Sequence, residues 1–370
     1  MTGAVLVTGA AGFIGGHLAA ACRADGWAVT AVDRRAAGHL SGSGVPIVQA
    51  DAADPTILAR IRSGDFTAVL HQAAVSNTLA DRWDLLQDVN VDVPLQLAGA
   101  CEASATPFIY ASSSSVYGAV SRRIPVPEQA VDDRTLTSGP LNLYARSKLL
   151  LDERMQDFTG KVPWIGLRYT NVFGPNEDHK GAMASILWQL LHATAQGRRI
   201  DLFNDTLLAA RDFLPVSSLV DTVLHLLRSP VPSGVYNLGA GHATSFSTIL
   251  GWCADLRADG MLDVRLVPNP IPDRYQYWTC ADMTALRGVL PYATEVTAEQ
   301  LREAATALYR SFLPGFASDE NQDRSAKSRR GTVHQLPGDD LHEQPRRPRQ
   351  RPGSIAPVAV GTVDGAAQDG

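Results

Sequence analysis

The stretch Ala4-Val5-Leu6-Val7-Thr8-Gly9-Ala10-Ala11-Gly12-Phe13-Ile14-Gly15 opens with a short apolar run and passes at once into three glycines spaced three apart. A run of this kind suits a strand buried on both faces of a parallel sheet. The alanine-rich pattern that follows is helical, so the glycines occupy a strand-to-helix turn. Gly9 allows the turn to be tight, Gly12 lets backbone amides approach a pyrophosphate, and Gly15 lets helix and strand pack closely. The helix N-terminus then faces the phosphates with unpaired amides and the positive end of its dipole. The spacing is G-x-x-G-x-x-G rather than the commoner G-x-G-x-x-G, so the strand–turn–helix context carries the reading.

Outward from that turn, strand and helix alternate. Ala28 to Val32 predicts a second strand ending in Asp33-Arg34-Arg35, about 20 residues past the glycines, where a ribose-binding acid is expected. Asp33 suits the adenosine ribose of NAD, whereas Arg34 suits the 2′-phosphate of NADP, and the two alternatives stay open. Val45 to Ala50 predicts a third strand closed by Asp51, within reach of an adenine edge, and Ala68 to His71 a fourth. Small residues, Ala73 and Ala74, follow it and suit backbone passing close to a cofactor. A helical stretch from about Asp84 to Glu102 and a fifth strand, Pro107 to Ala111, complete the pattern of a doubly wound parallel sheet.

Ligands of such sheets lie beyond the carboxyl ends of the strands. There the fifth strand runs into Ser112-Ser113-Ser114-Ser115, and Tyr144-Ala145-Arg146-Ser147-Lys148 follows Pro140. On a helix, residues four apart share a face, so the phenol and the ammonium stand together. A fixed positive charge favours the phenolate and brings the pKa of a tyrosine toward the range useful for a base. No G-x-S-x-G elbow surrounds Ser113, which argues against an acyl-transfer nucleophile.

Taken in order, Gly9-x-x-Gly12-x-x-Gly15, Ser113 and Tyr144-x-x-x-Lys148 resemble the extended short-chain dehydrogenases/reductases, the NAD-dependent nucleotide-sugar epimerases and dehydratases. Leu167-Arg168-Tyr169-Thr170-Asn171-Val172-Phe173-Gly174-Pro175 is similar to that group's signature after the sixth strand. Within the group, His179-Lys180-Gly181-Ala182-Met183-Ala184-Ser185 and Arg274-Tyr275-Gln276 resemble segments of the ADP-glyceromanno-heptose 6-epimerases. Leu202-Phe203, Arg211-Asp212-Phe213 and Asn237-Leu238-Gly239-x-Gly241 are further matches.

The resemblance implies a triad of Ser113, Tyr144 and Lys148, with Lys180 as a second acid/base opposite Tyr144; a surface or diphosphate-binding lysine is the alternative. It also implies one tightly bound NADP or NAD per subunit, touched by Phe13, Ile14, Ala73 and Asn90 besides the groups above. Sugar-nucleotide contacts would come from Ser76, Ser113, Asn171, His179, Lys180, Phe203, Arg211, Arg274 and Tyr275. The implied reaction converts ADP-D-glycero-D-manno-heptose to its L-glycero epimer by transient oxidation at C6. Alternatives are a UDP- or dTDP-hexose 4-epimerase, a 4,6-dehydratase, or a non-catalytic nucleotide sensor. A dehydratase would carry acid/base carboxylates where Ser113-Ser114-Ser115 stand. The chain departs from the family after Arg211-Asp212-Phe213: Pro215 lacks a backbone donor, and Ser218 replaces a carboxylate that could cap the next helix.

At 370 residues, with 45% hydrophobic and 19% charged, the composition is that of a globular enzyme. A net charge of -5 gives no footprint for a nucleic-acid partner. Cys22, Cys101, Cys253 and Cys280 are scattered, so no metal site is expected. No leader and no membrane-spanning run is read, and the expected setting is the cytoplasm, as a homo-oligomer. The expected architecture is a Rossmann-type sheet domain, 1–170 plus about 210–236, and a smaller α/β substrate-binding lobe, about 171–209 plus 237–316. In that lobe 181–196, 237–255 and 297–312 read as amphipathic helices. The Arg-Pro-rich stretch 317–370 lacks Phe, Trp and Tyr and reads as a disordered tail.

Overall fold

Apolar β-branched runs with no polar face must be covered on both sides, and here they form the middle of one parallel sheet. The computed structural model describes residues 3–36, 45–291 and 295–314; the stretch 317–370, expected to be a tail, lies outside them. Seven strands make the sheet: β1 (Ala4–Thr8), β2 (Ala28–Asp33), β3 (Ile47–Gln49), β4 (Ala68–His71), β5 (Phe108–Ser113), β6 (Trp164–Tyr169) and β7 (Gly234–Leu238). Their order is β3-β2-β1-β4-β5-β6-β7, parallel at every pairing. Chain direction across the sheet therefore reverses between β1 and β4, and a crevice opens at their carboxyl ends.

Helix α1 (Phe13–Ala24) leaves the glycine turn, and α2 (Pro55–Arg62) starts from Asp54, whose side chain caps Thr56 N. Beyond β4 the expected long helix is present as α3 (Trp83–Gln87), a π-helical turn Asp88–Asp92 and α4 (Val93–Ser104). The π turn is where Asn90 swings inward. Helix α5 (Leu143–Met155) carries Tyr144 and Lys148, and Asn142 caps it by accepting from Ala145 N at 2.8 Å.

Beyond β6, α6 (Ile186–Ala195), α7 (Val216–Leu226), α8 (Phe246–Asp255), α9 (Thr284–Val289) and α10 (Ala298–Ser311) follow, with short paired strands between them. The helix expected over 237–255 is corrected. Asn237 and Leu238 close β7 beside β6, a positive-φ turn at Gly241 follows, and only Phe246–Asp255 is helical. An apolar run read without its neighbours does not distinguish a strand end from a helix start. Pro215 serves without strain, ending a short strand paired with Asn171–Phe173 and standing as N-cap of α7, where no amide is required.

One hydrophobic core runs from β1 and α1 through α6, α7 and α8 to α10. A second lies on the other sheet face among α2, α4 and the start of β6. Up to Leu313 the contacts make one compact unit, so the expected lobes share a core and any division between them is one of labour.

Candidate active site

The glycine turn is built for backbone, not side chains. Gly9 holds φ +69, and a Cβ there would lie 2.6 Å from Ala73 N; on Gly15 it would lie 2.2 Å from Gly9 O. Gly12 caps α1 without any side-chain hydrogen bond, leaving the first amides of the helix for an anion. In front of the turn lies a cleft of about 560 Å³ whose lining includes Gly9, Gly12, Phe13, Ile14 and Gly15. Asp33, Arg34, Asp51, Ala73 and Ser76 share that lining, and His179 and Lys180 reach it from the other side. A dinucleotide fits these residues: an acid at the end of β2, a phosphate cradle at α1, and small residues after β4.

Asp33 and Asn90 also hold the protein's own backbone. Asp33 accepts from Ala11 N (3.0 Å) and Arg35 N (2.9 Å), bracing the turn itself. Arg35 pairs with Asp33, at 3.5 Å, and its guanidinium lies 3.9 Å from where a Gly12 Cβ would be. Asn90 is buried; it accepts from Val75 N (2.8 Å) and donates to Val75 O and Ser147 Oγ (both 3.0 Å). It fixes the backbone after β4 and ties it to α5.

Ser113 ends β5, and its Oγ accepts from Ser115 N (3.2 Å) and Ser115 Oγ (2.9 Å). Burial pushes the Tyr144 phenol up, against a hydrogen bond with Ser113 that pulls it down. Lys148 is 2% exposed and donates to Ala111 O at 2.8 Å. Burial lowers its pKa to about 8, with the Asp152 carboxylate opposing. Its ammonium is directed to the β5 carbonyl, and desolvation of the Tyr144 ring dominates.

Because the folded pKa of Lys148 lies below the ordinary lysine value, the charged amine penalises the fold. That penalty is full below about pH 8 and is relieved as pH rises from about 8 toward the unfolded value near ~10.5. Lys148→Met is accordingly expected to be more stable than the parent by about 2 kcal/mol at pH 7, allowing for one lost hydrogen bond, while losing turnover. Urea titrations at pH 7 and pH 10 check this; a variant less stable than the parent at both would refute it.

Sequence reading missed the support behind Lys148. Asp152, one turn further along α5 and 3% exposed, accepts from Tyr110 Oη (3.0 Å), Ser112 Oγ (2.9 Å) and Arg168 Nε (2.8 Å). Arg168 also donates to Tyr117 Oη (3.0 Å) and to Glu128 O (2.9 Å). The signal was legible in part, since Asp152 repeats the four-residue spacing of Tyr144 and Lys148. Asp212 is a second hidden group: fully buried, it accepts from the amides of Ala240 (2.7 Å), Gly241 (3.1 Å) and Ala281 (2.9 Å).

The remaining residues expected at the sugar nucleotide separate into three places. Phe203, Arg211 and Tyr275 meet, the two rings edge-on at 6.0 Å and the guanidinium 4.9 Å over Tyr275. Arg274, next in sequence, is exposed and lines another groove of about 740 Å³ with Asn142 and Arg146. Asn171 spends its Nδ2 on Asp212 O and Thr279 Oγ1, both at 3.0 Å, so only its Oδ1 is left for a ligand. Among the described residues no cluster could hold a metal ion.

Residues 5–239 match the profile of the NAD dependent epimerase/dehydratase family, more than half the chain. The chain belongs to that family. An ADP-L-glycero-D-manno-heptose-6-epimerase of Pseudomonas paraeruginosa is 34% identical to it over 313 residues, 76% of this chain and 92% of that protein. The crystal structure of a Helicobacter pylori protein of the same name superposes with a TM-score of 0.72 at 26% identity, covering 84% and 96% of the two chains. The Thermus thermophilus UDP-glucose 4-epimerase in complex with NAD gives 0.68 at 27% identity, with 83% and 98% covered. As a member of the NAD-dependent epimerase/dehydratases, the chain is a nucleotide-sugar enzyme built around a nicotinamide cofactor. Among the described residues no helix is long and apolar enough to cross a membrane.

Proposed function

We propose that this enzyme epimerises ADP-D-glycero-D-manno-heptose at C6, with Tyr144 and Lys180 as acid/base groups on either side of the reacting carbon. Support comes chiefly from Lys180: the lysine of the heptose-epimerase-like segment lines the same cleft as the glycine turn. When bound, the nicotinamide supplies a hydride acceptor and returns the hydride.

Tyr144 receives the carbinol proton, Ser113 holds the oxygen by hydrogen bonding, and Lys148 keeps α5 fixed to β5. Lys180 supplies a proton to the ketone oxygen when the opposite face is presented. Asp33 and the amides of the glycine turn would hold the dinucleotide. Phe203, Arg211 and Tyr275 would receive the nucleotide of the substrate, through stacking and charge on its phosphates. On this reading 1–170 plus about 210–236 serves the cofactor and about 171–209 plus 237–316 the sugar, in a cytoplasmic homo-oligomer without nucleic-acid or membrane partners.

The deciding experiment incubates purified protein with ADP-D-glycero-D-manno-heptose, without added cofactor, and follows the C6 epimers by NMR. The L-glycero epimer is expected. Conversion of UDP-glucose to UDP-galactose instead would move the assignment to a 4-epimerase. Lys180→Met is expected to lower kcat by about 10²-fold or more with cofactor retained; parental turnover would remove Lys180 from the chemistry.

A further inference from the structure

Glu177 has no part in the steps above, yet its carboxylate is completely buried. Its Oε1 accepts from Gly174 N (3.1 Å) and Ser185 Oγ (2.8 Å), and its Oε2 from Ser185 N (2.6 Å) and Lys180 Nζ (2.7 Å). Two backbone amides and a hydroxyl would already satisfy a loop-closing group, and a neutral acceptor could close the loop as well. A carboxylate taken wholly out of water is costly unless a cation is paired with it. The cation here is the one lysine proposed to touch the sugar.

Lys180 is held from two sides. Glu177 grips the ammonium from the protein interior, and the Phe13 ring stands 4.8 Å from it across the glycine turn. Its side chain is 23% exposed, at the cleft it lines, whereas Glu177 has no exposure at all. Immediately after Lys180 the chain reverses at Gly181, φ +53, and a Cβ there would meet nothing within 4 Å. What that glycine provides is backbone freedom, which returns the chain to Ser185 and closes the loop on Glu177.

We propose that Glu177 is the positioning residue for Lys180, bracing its side chain against Phe13 and directing it at the reacting carbon. The proposal rests on the reading of Lys180 as an acid/base group and extends it to the residue that aims it. Glu177 touches neither substrate nor cofactor; it acts through Lys180.

The test uses the full-length holoenzyme and Glu177→Gln, which preserves shape and removes charge. Its kcat for heptose epimerisation is expected to fall about tenfold or more, with KM changed less than about threefold. In a Lys180→Met background the same substitution is expected to cost nothing further, because the group it acts through is gone. Independently of turnover, reductive methylation of Lys180, read by mass spectrometry, is expected to be several-fold faster in Glu177→Gln than in the parent. Parental kcat, or an equal fractional loss with and without Lys180, would overturn the proposal and leave Glu177 a loop brace. If Lys180→Met itself keeps parental turnover, the acid/base reading fails, and the methylation rate alone decides whether Glu177 holds Lys180. Should Glu177→Gln not fold, Glu177→Asp keeps the charge but draws it back one methylene, and the same comparisons apply.

Discussion

Tyr144→Phe is expected to lower kcat by about 10²–10⁴-fold, the usual contribution of a positioned acid/base group. The substitution removes one oxygen from a half-buried ring and leaves the α5 backbone, its Asn142 cap and the Lys148–Ala111 hydrogen bond in place. What disappears is the group that hydrogen-bonds Ser113 and takes the carbinol proton. Cofactor retention should not change, because the dinucleotide cradle at Gly9, Gly12 and Gly15 belongs to another part of the sheet edge. The comparison needs three measurements on one preparation: bound nicotinamide, melting temperature and epimer conversion. Turnover within about threefold of the parent, with cofactor retained, would show that another group moves the proton.

The second large effect falls on stability. Asp152→Ala is expected to cost about 3–5 kcal/mol, because Arg168 would stay buried with its charge uncompensated. Exposure of Arg168 is 4% and of Asp152 3%, so water cannot replace the lost partner. Tyr110 and Ser112 would lose the acceptor they share. Lys148 would lose the carboxylate that opposes its desolvation, so activity should fall with stability. The double variant Asp152→Leu, Arg168→Leu should recover much of the loss, since apolar replacement of a whole buried pair is commonly near neutral. Urea denaturation of the three proteins checks the argument; a single variant within about 1 kcal/mol of the parent would refute it.

The run Ala4 to Gly15 determined the fold class alone, because an apolar strand, a glycine turn and a helix in immediate succession admit one kind of sheet edge. Tyr144-x-x-x-Lys148 was equally legible, since helical periodicity fixes which residues share a face before any tertiary contact forms. Those features are local in sequence. Tertiary structure alone decided which partners the charges take. Lys148 donates to the Ala111 carbonyl, 37 residues away. Arg35 pairs with Asp33 and reaches toward Gly12, while Arg34 lines the cleft. Asn237 and Leu238 become a strand because β6 offers them a free edge, and Glu177 becomes an anchor because burial forces it to find a cation. Distance along the chain carries no record of burial, and burial decides which partners a charged group must find.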